Sequence, residues 1–214
     1  QSLVDHVHDF IEVLCLDEVS LIGNSQGAYV AAKYAIDHPE KVKKVVYIGS
    51  NTIYQAMQEA PERKLRSFLE VIGYDYTEKS LRKFMYRNSS EDTVIPEELI
   101  QLRHQAATRP GIKESNQAFD AYLARMNEEP KLWNRYCIKD SFPKLKVPGL
   151  FIWGKQDTIA PVEIAYKLEK LLPSIKFEYI EHCGHQAQTD QPEIVNNLVI
   201  DFLEAESIQA VTTQ

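Results

Sequence analysis

No apolar run in this 214-residue sequence approaches the ~20 residues a helix needs to cross a bilayer. Cysteine is scarce. Cys15, Cys137 and Cys183 are odd in number and irregularly spaced, so they give neither a disulfide framework nor metal-ligand spacing and suit a reducing cytosol. Positive charge is also short: 24 Lys and Arg against 31 Asp and Glu leave a formal net charge of −7. Phosphate binding needs clustered basic residues, so a general role on nucleic acid is disfavoured. No secretory signal, internal repeat or low-complexity tract is visible. No His/Cys cluster has the spacing of metal ligands, and no metal or cofactor is expected. What remains is ordinary for a soluble globular protein, with 44% hydrophobic and 26% charged residues, and the cytoplasm is its expected location. That length and composition suffice for one well-buried domain, or one domain carrying an insertion.

The apolar pattern alternates between helix and strand at both ends of the chain. Leu3, Val7, Phe10, Ile11 and Leu14 fall at helical spacing and run into a strand at Val19–Ile22. A helix ending near His38-Pro39 precedes a second strand, Val42–Ile48. Later come a strand at Val147–Trp153, a helix at Val162–Leu172, a strand at Lys176–Ile180 and a helix at Ile194–Leu203. Strand–helix alternation predicts an α/β fold with a mostly parallel sheet. Between the two halves the texture is helical, with helices expected at 61–74, 78–87, 96–108 and 113–127 and punctuated by Pro61, Pro96 and Pro110-Gly111. Such a block reads as an inserted lid, since crossover connections are normally far shorter. The expected division is core at 1–51, helical lid at 52–140, core at 141–206 and a disordered tail at 207–214.

Gly23-Asn24-Ser25-Gln26-Gly27 lies between the first strand and the following helix. A serine there tops a sharp turn at the end of the sheet, and the flanking glycines answer an expected lack of room for a Cβ on either side. Serine needs a base, and the base needs an orienting group. Asp157 follows a strand in Phe151-Ile152-Trp153-Gly154-Lys155-Gln156-Asp157, and His185 follows the last strand in Glu181-His182-Cys183-Gly184-His185. The order Ser25, Asp157, His185 is that of the α/β-hydrolase arrangement. His182 is the rival base and Asp190 the rival carboxylate. Asp190 reads more simply as a cap for the helix beginning at Gln191-Pro192.

These segments, with Cys183-Gly184-His185-Gln186-Ala187-Gln188, resemble the α/β-hydrolase family over nearly the whole chain. Within it they resemble the meta-cleavage product hydrolases, which hydrolyse a carbon–carbon bond in 2-hydroxy-6-oxo-dienoates. Phe84-Met85-Tyr86 and Pro96 to Arg103 are similar to the stretch carrying that subfamily's substrate-carboxylate arginine. The resemblance implies Ser25 as nucleophile or activator of water, His185 as general base and acid, and Asp157 as the group fixing the imidazole. It implies the Gln26 N–H as half of an oxyanion hole, and Asn24 and Arg103 as ligands for the acid end of a small-molecule dienoate. Gln186 stands where the subfamily usually has tryptophan, and Gly27-Ala28 where relatives usually have two glycines.

Other readings stay open. Asn24 equally suits a turn-stabilising role, and an arginine on an amphipathic lid helix is ordinarily a surface residue. A carboxylesterase or lactonase would use the same triad, and a small-molecule receptor could retain the same fold. The oligomeric state is open, a homo-oligomer included. The family's N-terminal strands and oxyanion loop have no counterpart in the sequence, so a longer protein is expected, of which this is the carboxyl-terminal part.

Overall fold

The computed structural model describes residues 3–59, 65 and 73–205. The helix expected at 61–74 falls almost wholly outside them, and the tail at 207–214 wholly outside. In chain order the elements begin with α1 (Leu3–Val13), β1 (Val19–Asn24), α2 (Gln26–Asp37) and β2 (Val42–Ile48). Then come α3 (Asn51–Ala56), α4 (Glu78–Arg87), α5 (Glu97–Ala107), α6 (Ile112–Met126) and α7 (Pro130–Tyr136). The second half holds β3 (Gly149–Gly154), α8 (Val162–Leu171), β4 (Lys176–Ile180), α9 (Ala187–Asp190) and α10 (Pro192–Glu204).

The four strands pair in the order β1-β2-β3-β4, all parallel, with Val46 opposite Leu150 and Ile48 opposite Ile152. Parallel neighbours must be joined by crossovers that cover a face of the sheet. Alternation along the strands sends Val45, Tyr47, Phe151 and Trp153 to one face, against Ala28, Ala31, Ala32 and Ala35 of α2 and Ala165 and Leu168 of α8. Small residues at helical spacing let α2 lie close to the strands. The intervening residues Val46, Ile48, Leu150 and Ile152 face the other way, against Val195, Leu198 and Phe202 of α10. Because both faces are covered, β2 and β3 read in sequence as continuous apolar runs rather than alternating ones.

Lys44 interrupts the run on β2, and its ammonium explains why. It donates to the carbonyls of Phe202 (2.7 Å), Leu203 (3.1 Å) and Ala205. These are orphan acceptors at the carboxyl end of α10, where the helix dipole also favours a cation. A strand side chain thus fastens the last helix to the sheet.

Among the described residues from 51 to 136, every regular element is a helix. Leu81, Met85, Ile95 and Ile100 form a small core of their own, separate from the sheet. Ile53, Ala56, Met57 and Ile138 instead pack in the sheet-face cluster. By packing, the core runs a few residues past position 51 and resumes by Ile138. No helix among the described residues is long and apolar enough to cross a membrane.

Candidate active site

The turn after β1 holds Ser25 at φ 55° and ψ −115°. A positive φ at a non-glycine residue costs of order 1–3 kcal/mol and persists only where the surroundings enforce it. Here three bonds do so. The Ser25 N–H donates to the Ile48 carbonyl at 2.8 Å, the Ala28 N–H to the Ser25 carbonyl at 3.1 Å, and the Ser50 hydroxyl to the same carbonyl at 2.8 Å. Ser50 is fully buried and also caps α3 by accepting from the Ile53 N–H at 3.2 Å. Its part in holding the serine turn leaves no mark in the sequence, although a serine directly before a helix is a recognisable cap signal.

The glycines flanking the turn are not equivalent. A Cβ on Gly23 would lie 2.3 Å from the Gly27 carbonyl oxygen, whereas a Cβ on Gly27 would meet nothing within 4 Å. The expectation of crowding on both sides holds for Gly23 alone. Gln26 begins α2, so its N–H has no acceptor within the helix and stands next to Ser25 at the positive end of the helix dipole.

Asp157 and His185 come together. The imidazole Nδ1 and Asp157 Oδ2 are 2.8 Å apart, with His185 6% and Asp157 5% exposed. The other carboxylate oxygen accepts from the N–H groups of Ile159 (2.8 Å) and Ala160 (2.7 Å). The carboxylate therefore shapes its own turn and orients the ring at the same time, and α8 starts later, at Val162. Gly49 (φ +49°) backs this pair closely: a Cβ there would lie 3.2 Å from Asp157 Oδ2 and 3.4 Å from His185 Nδ1.

The Asn24 side chain joins the two halves of the site. Its Nδ2 donates to the Ile48 carbonyl and to the His185 carbonyl, each at 3.1 Å. Both amide hydrogens are thereby engaged with backbone, leaving only an acceptor oxygen, which a carboxylate does not want. The expectation of Asn24 as an acid ligand gives way to a tie between the serine turn and the histidine loop. Ser25 and His185 are not joined by a direct hydrogen bond; such bonds often tighten only when substrate is present.

Asp190 also differs from expectation. It accepts from the Gly184 N–H at 2.6 Å, the Ser90 N–H at 3.0 Å and the Thr93 hydroxyl at 2.9 Å. It is no cap for α10; it clamps the loop after α4 onto the histidine loop. Cys183, between those groups, is buried, and burial with the nearby Asp190 and Asp157 charges pushes its thiol up to about 12. His182, the rival base, is exposed. Arg103 lies half-buried on α5 with no carboxylate partner among the described residues, and burial lowers its pKa. No group of three or more His, Cys, Asp or Glu among the described residues could hold a metal ion.

The model of the alpha/beta hydrolase fold family matches residues 1–192. The chain belongs to the α/β-hydrolase family. It is 28% identical over 201 residues to a 2-hydroxy-6-oxo-6-(2'-aminophenyl)hexa-2,4-dienoic acid hydrolase of Metapseudomonas resinovorans, covering 94% of this chain and 65% of that protein. To a 2-hydroxy-6-oxo-2,4-heptadienoate hydrolase of Pseudomonas putida it is 27% identical over 208 residues, covering 96% and 71%. The chain thus spans about two thirds of the length of these relatives, between 65% and 71%. Among solved structures, a serine hydrolase involved in carbazole degradation superposes with TM-score 0.68 at 27% identity, covering 94% of this chain and 69% of that one. A meta-cleavage product hydrolase from Pseudomonas fluorescens shares the fold with TM-score 0.71 at 23% identity, covering 94% and 70%.

Proposed function

We propose that this α/β-hydrolase uses Ser25, His185 and Asp157 to hydrolyse the carbon–carbon bond next to the 6-oxo group of a 2-hydroxy-6-oxo-dienoate. The observation that carries the reading is the buried His185–Asp157 bond at 2.8 Å, beside a serine held at positive φ. A carboxylate on Nδ1 fixes the tautomer that leaves Nε2 free as a base, which is what a serine or a water needs. Similarity to the dienoate hydrolases supplies the substrate class.

Hydrolysis adds a hydroxyl to the 6-oxo carbon and a proton to the carbon that departs. The electron pair of the broken bond leaves with the dienoate half, whose conjugated carbonyl in the keto form accepts it. Ser25 attacks the 6-oxo carbon or activates the water that does. His185 takes that proton and returns it to the departing carbon. The Gln26 N–H faces the developing oxyanion. Arg103 holds the substrate carboxylate, since a half-buried guanidinium with no carboxylate partner among the described residues is completed by an anion, best of all in paired hydrogen bonds.

A panel of ring-fission dienoates and neutral p-nitrophenyl esters tests both parts. Arg103→Ala is expected to lower kcat/KM on dienoates by roughly 10²–10³-fold and to leave the esters nearly unchanged. Equal losses on both classes, or hydrolysis of esters alone by the parent, would favour a carboxylesterase.

A further inference from the structure

Asn88 closes α4 where the lid meets the catalytic loops. Its carbonyl accepts from the His185 N–H at 2.7 Å, and its own N–H bonds the carbonyls of Phe84 and Met85. Just before it, the Arg87 carbonyl accepts from the Thr158 hydroxyl at 3.4 Å, and just after it Ser90 is held by Asp190. Residues 87–90 are therefore fastened at once to the Asp157 turn and to the His185 loop. The side chain in the middle of this seam is 1% exposed, yet neither its Nδ2 nor its Oδ1 has a hydrogen-bond partner.

A primary amide can donate two hydrogen bonds and accept two. Buried groups of this kind are paired in almost all native proteins, and an exception needs a reason, of which a ligand that completes the pairing is one. Asparagine at a helix end usually pairs with local backbone, but here backbone bonds close the helix and leave the amide idle. A second idle amide atom, Gln188 Oε1, lies on α9 three residues past His185. The two segments joined by the Asn88–His185 bond thus each carry an uncharged amide with unmet capacity.

We propose that Asn88 is a specificity-determining residue whose amide binds an uncharged polar group, a hydroxyl or an amino group, on the acyl half of the substrate. The proposal rests on the hydrolase reading above and narrows its substrate class. The group is uncharged because a carboxylate buried against amides alone would lack a counter-charge. A substrate without the group leaves the amide unpaired, and a site built around a hydrogen bond discriminates on that basis.

The acid released from the acyl half binds without turnover, so affinity can be separated from catalysis. Benzoate and the three monohydroxybenzoates are titrated calorimetrically into the parent, Asn88→Leu and Asn88→Ala. At least one hydroxybenzoate is expected to bind the parent about tenfold more tightly than benzoate, the effect of one good hydrogen bond. In both variants that ratio falls to within about twofold of unity, benzoate affinity is kept, and the melting temperature does not drop. No preference in the parent, an unchanged ratio in the variants, or a parallel loss of all the acids overturns the proposal. Turnover of dienoates by the parent is read separately. A preference for hydroxybenzoate without dienoate turnover sinks the function and keeps Asn88, and the reverse does the opposite.

Discussion

Replacing Asp190 by alanine removes one carboxylate and three hydrogen bonds, to Gly184 N–H (2.6 Å), Thr93 hydroxyl (2.9 Å) and Ser90 N–H (3.0 Å). A hydrogen bond to a charged group contributes about 1.5–3 kcal/mol. The three share one carboxylate, so they do not add in full. Ser90 and Gly184 are buried and would keep unpaired N–H groups. A loss of about 3–5 kcal/mol follows, a large share of the ~5–15 kcal/mol that holds a typical domain. At about 2–4 °C per kcal/mol for a chain of this size, the melting temperature falls by roughly 6–20 °C. Activity falls further than stability alone explains, because the loop carrying His185 loses its anchor; displacing a base by ~1 Å costs on the order of 10²-fold. Circular dichroism melts and initial rates on a p-nitrophenyl ester, measured well below the melting temperature, read the two effects. A melting temperature within about 2 °C of the parent with an unchanged kcat would refute the assignment of Asp190 as the clamp.

Gly23→Ala should fail to give folded protein or lose more than about 4 kcal/mol, since its Cβ would sit 2.3 Å from backbone, whereas Gly27→Ala should melt within a few degrees of the parent. Lys44→Met leaves the carbonyls at the end of α10 without their donor and should cost about 1–3 kcal/mol in urea denaturation. Tyr47→Phe should be neutral or stabilising by up to about 1 kcal/mol, because the buried Tyr47 hydroxyl has no partner to lose. At pH 8 iodoacetamide should modify exposed Cys15 well before buried Cys183, whose thiol is held neutral far above that pH; peptide mass spectrometry reads the order.

Much of this fold is legible locally. β2 and β4 fall where their apolar runs place them, and α4 spans the residues its periodicity marks. The short helices α3 and α7 are not legible in this way, since six or seven residues give too little periodicity to register. Asp157 and His185 could be named from the turns that follow their strands. The roles of Asn24 and Asp190 could not, because each is set by partners far along the chain: Asn24 by His185, Asp190 by Ser90 and Thr93. A side chain that reads as a ligand or a cap in its own segment becomes a tie only when the lid and the strand ends meet. Gly27 shows the opposite case, a glycine whose motif suggests crowding where the fold leaves open space.

Trapping by a fluorophosphonate, with the adduct mapped by peptide mass spectrometry, tests whether Ser25 is a nucleophile activated by the His185–Asp157 pair. Stoichiometric modification of Ser25 is expected, slowed by at least about 10³-fold in His185→Ala. An unmodified Ser25, or labelling that proceeds at the same rate without His185, would contradict it.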